Sequence, residues 1–160
     1  MPMLDVYVPE GALDPDVEDE LLRRITDVLI THEGFDPADP ATRAASWAFL
    51  HRPAAIRVGG EPADAPRYKI VPSYPEGQLD ADGRAAVVAA VTEAVLDAER
   101  GHWPRDPARV WVFPTEIPEG HWGGRGGVIP LAAILSFTGD PATAEALAAE
   151  RIARARAERA

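Results

Sequence analysis

The sequence predicts an α+β domain built from two fused β-α-β units: a four-stranded sheet, two helices on one of its faces, and a C-terminal helical arm. Three observations predict it. Pro9-Glu10-Gly11-Ala12-Leu13-Asp14 returns 66 residues later as Pro75-Glu76-Gly77-Gln78-Leu79-Asp80. Ile25-Thr26-Asp27-Val28-Leu29 returns at the same spacing as Val91-Thr92-Glu93-Ala94-Val95. Two matches in one register mark an internal repeat. In each copy, strand-like alternation is followed by helical periodicity and then by a second short apolar run. The repeat divides a single domain, 1–138, into units 1–60 and 67–138, with 139–160 as the last helix.

The first strand covers roughly residues 3–8, with Leu4, Val6 and Val8 on one face and Met3, Asp5 and Tyr7 on the other. Pro9-Glu10-Gly11 turns the chain. Asp14 suits an N-cap and Pro15 the first helical position, while Asp16 and Glu18 sit at the positive end of the helix dipole. Val17, Leu21, Leu22, Ile25, Val28 and Leu29 form one apolar face, and Gly34 stops the helix. Residues 35–42 read as a loop, 46–51 as the second strand, 54–60 as a short extension and 61–66 as a proline-rich linker. The second copy repeats the plan. Its strand starts at Arg67 or Tyr68, and Asp80 caps its helix. Val87, Val88, Val91, Ala94 and Val95 carry its apolar face, and 109–115 is the fourth strand. Trp47-Ala48-Phe49 and Trp111-Val112-Phe113 are a third, shifted match. Glu119 to Gly127 is glycine-rich and reads either as a surface hairpin or as backbone that closely approaches a ligand. The helix after Asp140-Pro141 has Leu147 and Ile152 as its only large apolar residues and reads as a peripheral arm that frays at its end.

Strands joined by crossover helices run parallel within each unit. Both helices then cover one face of the sheet and leave the other bare, so the architecture predicts oligomerisation.

Composition narrows the function. A net charge of -10 argues against a nucleic-acid surface. No apolar run spans a membrane, and no signal peptide is evident, which with the absence of cysteine predicts a soluble cytoplasmic protein. Cysteine nucleophiles and cysteine-ligated metals are excluded, and the histidines lack metal-site spacing. Lys69 is the only lysine, so arginine is the expected partner of any anionic substrate. Arg43, Arg52, Arg57 and Arg125 are the candidates. His51, His121, Glu116 and Glu119 are read either as turn or strand-end polar residues or as site groups.

Pro2 heads the first strand. Removal of Met1 would leave it a free secondary amine at the start of that strand. Together with the two-copy architecture and Glu119-Gly120-His121-Trp122-Gly123-Gly124-Arg125-Gly126, this resembles the tautomerase superfamily over residues 2–135. Members carry a catalytic amino-terminal proline on a β-α-β block, and the longer ones fuse two blocks. The glycine-rich segment is similar to the hairpin that closes the site of 4-oxalocrotonate tautomerase. The resemblance implies a cofactor-free, metal-free homotrimer acting on a small carboxylic acid. In it Pro2 is the general base for tautomerising a 2-oxo or 2-hydroxydienoate acid, Trp122 is a wall and one or two arginines hold the carboxylate, a part that Arg43, Arg52 or Arg125 would take in this chain. Two alternatives remain: a dehalogenase, hydratase or decarboxylase of a three-carbon acid, and a non-catalytic superfamily member. The second copy carries Tyr68 where Pro2 stands, so one site per chain is expected.

The chain departs from its relatives at the binding groups. Ala12 and Gln78 stand where an arginine follows the first-strand Glu-Gly, and Trp111 stands for the second binding arginine. Leu29, Pro75, Gln78 and Phe113 stand where the cis-3-chloroacrylic acid dehalogenases have a histidine, two arginines and a tyrosine.

Overall fold

The computed structural model describes residues 2–137 and 139–160. Met1, whose removal the Pro2 chemistry requires, lies outside them. In the first copy, β1 (Met3–Tyr7) leads through α1 (Pro15–His32) and a short α2 (Pro40–Ala44) to β2 (Trp47–His51). A small hairpin, β3 (Arg57–Val58) and β4 (Glu61–Pro62), joins the copies. The second copy runs from β5 (Tyr68–Pro75) through α3 (Ala81–Ala98) to β6 (Val110–Val112) and β7 (Thr115–Ile117). A second hairpin, β8 (Gly123–Gly124) and β9 (Gly127–Val128), precedes α4 (Leu131–Leu135) and α5 (Pro141–Glu158).

The repeat is visible in the geometry. α1 and α3 are both 18 residues long, are preceded by Asp14 and Asp80, and end at Glu33 and Glu99. The main sheet has the order β2-β1-β5-β6, and β7 pairs with β5 beyond β6. β2 is parallel to β1, β6 is parallel to β5, and the two copies meet where β1 lies antiparallel to β5. In that central pair Asp5 lies opposite Val71, its own counterpart 66 residues on. A pseudo-two-fold axis therefore passes through this pair and relates the two copies.

Leu4, Val6, Val8, Ile70 and Tyr74 pack beneath Leu21, Ile25, Leu29, Val87, Val91 and Val95 in the main core. Burial of each such aliphatic side chain contributes about 1.5–3 kcal/mol. The opposite sheet face is uncovered: Trp111 is 64% exposed and Trp47 56%, with Phe49 and Phe113 beside them. A second core joins Ile30, Phe35 and Trp122 to Leu131, Ile134, Ala144 and Ala148.

Three segments differ from expectation. Residues 40–44 are helical, because Pro40 occupies the first turn and Asp39 accepts the Thr42 amide at 2.8 Å. The expected extension and linker form the β3–β4 hairpin, turned by Gly59 and Gly60 with φ of 60° and 92°. Finally, α5 is tightly docked. Ala144, Ala148 and Ala155 are buried, and the helix backbone passes so close to the β5–α3 turn that a Cβ on Gly77 would stand 2.7 Å from Arg151 C. Alanines and glycines permit this approach, but they give little hydrophobic periodicity to read.

Candidate active site

Pro2 is buried, and its carbonyl accepts the Trp47 amide at 3.2 Å. Because Met3 lies opposite both Trp47 and Ser73, the start of β1 is flanked by β2 and β5. Strand alternation puts Pro2 on the helix-covered side with Leu4, and the antiparallel register puts Tyr74 opposite it. A frayed terminus would have none of these constraints.

A cavity of about 360 Å³ opens at this end of the sheet, lined by Met3, Ala45, Trp47, Trp122, Arg125 and Phe137 among others. Trp122 enters it from the hairpin, whose closure includes the Ile129 amide donating to the Trp122 carbonyl at 2.8 Å. Arg125 and Gly126 turn the hairpin with φ of 52° and 81°. The primed turn leaves Arg125 with positive φ, and its guanidinium lies 5.6 Å from the Phe137 ring centre.

The other candidates are placed differently. Arg43 lies on α2, whose Ala41 and Ala44 line the cavity, but its guanidinium donates to Asp27 at 2.7 Å on the exposed side of α1. Arg52 forms a bidentate pair with Glu18, both contacts 2.6 Å, and also approaches the Val8 carbonyl. Val8 is six residues along the strand from Pro2, about 20 Å away at strand rise. Arg57 lines a different groove of about 470 Å³ with Tyr7, Lys69, Trp111 and Phe113. His51 meets Asp5 at 2.6 Å and stacks on Tyr7 on the bare sheet face. His121 is exposed. Glu116 accepts the Gly77 amide and pairs with Arg159, and Glu119 accepts the Leu131 amide.

Four residues at the Pro2 end escaped the sequence reading as a group. Glu33, at the end of α1, is only 2% exposed. Burial pushes its carboxyl up, while the charge of Arg151 pulls it down. Gln78 donates from Nε2 to the Glu33 carbonyl at 2.6 Å and accepts from Arg151 Nη1 at 3.5 Å. Arg151 reaches in from α5, with Nη2 3.9 Å from where a Cβ on Gly34 would stand. Burial and then Arg154 hold its guanidinium below its ordinary value. Tyr74 is fully buried, and burial pushes its hydroxyl up to about 12. The signal available in the sequence was the pairing of Glu33 with Glu99 at the repeat spacing.

No protein-family model matches the sequence, and no curated protein matches it. Solved structures do match. A fused 4-OT wild-type symmetric trimer aligns at TM-score 0.64 and 23% identity, covering 82% of this chain and 96% of that one. A member of the cis-3-chloroacrylic acid dehalogenase family aligns at 0.65 and 18% identity over 92% of this chain and 99% of that one. Macrophage migration inhibitory factor of Toxoplasma gondii aligns at 0.61 and 15% identity, over 79% and 99%. The class defined by these alignments is the α+β tautomerase fold of duplicated β-α-β units. Within that class, the particular arrangement is that of chains with two such units in one polypeptide.

Proposed function

We propose that this protein is a tautomerase or isomerase in which the Pro2 amine, freed by removal of Met1, acts as general base on a small 2-oxo or 2-hydroxydienoate acid. The observation that carries this reading is the burial of Pro2 at the head of a central strand, at the sheet end where Trp122 and Arg125 line a cavity. A proline nitrogen has a lone pair held in a fixed direction by the ring. It removes a proton from the hydroxyl or α-carbon of the substrate and returns it to another carbon, so no cofactor or metal is needed. Arg125 binds the carboxylate and Trp122 excludes water. Arg43 and Arg52 are engaged by Asp27 and Glu18, which favours Arg125 among the sequence candidates.

The test uses purified protein whose intact mass shows loss of Met1, assayed with phenylpyruvate and 2-hydroxymuconate beside Pro2→Ala. The variant is expected to lose at least about 100-fold in kcat/KM, the lower end of general-base contributions. Equal activity in both proteins would eliminate Pro2 as the base, and inactivity of both would favour a non-catalytic superfamily member.

A second reading is favoured by Glu33. A buried carboxylate beside the amine raises the amine's pKa. A protonated Pro2 then serves as general acid while a carboxylate activates water, the arrangement for hydration or hydrolytic dehalogenation of a three-carbon acid. Turnover of a 3-haloacrylate above the tautomerase rate would select it.

The bare sheet face supports assembly as a homotrimer. We place the protein in the cytoplasm. Among the described residues, no helix is long and apolar enough to cross a membrane.

A further inference from the structure

The pseudo-two-fold axis makes the two ends of the β1–β5 pair comparable group by group. At the far end, Tyr68 OH donates to Glu99 Oε1 at 3.0 Å, and Arg109 embraces the same carboxylate with both terminal nitrogens. Glu99 and Arg109 are 2% and 4% exposed, so this buried carboxylate has a dedicated cation. Glu99 follows the last residue of α3, as Glu33 follows the last residue of α1. A carboxylate there faces the negative end of the helix dipole, which makes a cationic partner necessary.

The Pro2 end keeps the carboxylate and changes its partners. Tyr68 becomes Pro2 at the repeat spacing. Arg109 stands two residues before Trp111, which pairs with Lys69; the residue two before Trp47, which pairs with Met3, is Ala45. Ala45 is a wall of the cavity, so loss of the arginine makes space as well as removing charge. Glu33 remains buried with the carbonyl side of its peptide held by Gln78.

We propose that Glu33 is the counter-ion of the Pro2 amine, a positioning residue that takes the place Arg109 gives to Glu99 and raises the pH at which the amine loses its proton. The proposal rests on the reading of Pro2 as the reacting amine. Pro2 stands toward Glu33 as Tyr68 stands toward Glu99, and the other charged and titratable groups facing Glu33 are Arg151 on α5 and Tyr74 on β5. Arg151 opposes Glu33: it favours the free amine, and because it belongs to α5, the C-terminal helix sets the balance. The signs are therefore fixed. Removing the Glu33 charge makes the amine easier to deprotonate, and removing the Arg151 charge makes it harder.

The experiment is a ¹⁵N NMR titration of the amino-terminal proline nitrogen in protein whose mass shows loss of Met1. Wild type is compared with Glu33→Gln, Arg151→Met and Glu99→Gln, and pH profiles of kcat/KM are recorded beside them. Glu33→Gln is expected to lower the amine midpoint by about one to three pH units and to move the corresponding limb of the rate profile with it. Arg151→Met is expected to raise it. Glu99→Gln, which removes an equally buried carboxylate at the other end, is expected to leave it in place. An unchanged midpoint in Glu33→Gln, or a shift as large in Glu99→Gln, overturns the proposal. Should Glu33→Gln fail to fold, the absence of a rise in Arg151→Met overturns it instead. The NMR midpoint is independent of turnover, so the expected shifts in a protein whose Pro2→Ala variant remains active would uphold the ion pair and reject Pro2 as the base.

Discussion

Replacing Glu76 with glutamine tests how α5 is held over the candidate site. Glu76 is buried at the β5–α3 turn. Its Oε1 accepts Arg156 Nε at 3.0 Å and also meets Arg159, while Oε2 accepts the Glu119 amide at 2.9 Å and Arg156 Nη2 at 3.3 Å. The Arg156 hydrogen bond, followed by the Glu119 amide and Arg159, outweighs burial and holds the carboxyl well down, from 4.5 to about 2. A group depressed in the folded state contributes stability above its unfolded pKa and loses that contribution as the pH falls through the folded one. The window therefore runs from about pH 4.5 down to about 2. The shift corresponds to about 3 kcal/mol as a ceiling. Arg156 and Arg159 are more than half exposed, and solvent screening of those partners brings the expectation to about 1–2 kcal/mol. Urea unfolding followed by circular dichroism should show Glu76→Gln less stable by that amount at neutral pH. The gap should close as the pH falls through the window and narrow in high salt. Two curves that stay parallel across the window would refute the argument.

Two further perturbations address packing and assembly. Gly77→Ala puts a Cβ into the backbone of Arg151 at a position with φ of 81°; the strained backbone and the overlap should together cost about 2–4 kcal/mol in denaturant unfolding, and a loss below 1 kcal/mol would mean that α5 is not docked there. Trp111→Asp places a charge among Trp111, Phe113 and their neighbours on the bare sheet face; sedimentation equilibrium should show a trimer becoming a monomer, and an unchanged mass would move the assembly surface elsewhere.

The duplicated frame was legible in the sequence because packing fixes it twice. Leu21, Ile25 and Leu29 and their counterparts Val87, Val91 and Val95 must all face the sheet, and an aspartate precedes each helix, although only Asp80 caps with its side chain, by accepting the Gly83 amide. The arginines were less legible. Arg43, Arg52 and Arg125 lie equally close to strand or hairpin signals, and what separates them is the identity of their partners. Asp27 and Glu18 come from α1, far away in sequence, and only the fold brings them up. Arg151 was hidden for another reason. Its helix is mostly alanine on the buried side, so nothing in its periodicity told that it docks, and Gly77 looks like an ordinary turn glycine until the helix lies against it.

The departures from two-fold symmetry collect at one end of the β1–β5 pair. Gly11 and Gly77 are equivalent turn glycines with similar φ of 72° and 81°, yet nothing lies within 4 Å of where a Cβ on Gly11 would stand, whereas α5 covers Gly77. Arg109 closes the far carboxylate; Ala45 stands at the corresponding place near Glu33, and Arg151 comes to that carboxylate from α5 instead. Trp122 takes the place of Ile56 at the repeat spacing, and together with α4 it builds the second core. A duplicated scaffold supplies two equivalent ends at the outset. One is closed by the buried Glu99–Arg109 ion pair, and at the other the arginine is absent and α5 covers the turn. The proposed reactivity of Pro2 lies where the repeat is broken, and the expectation of one site per chain rests on the same asymmetry.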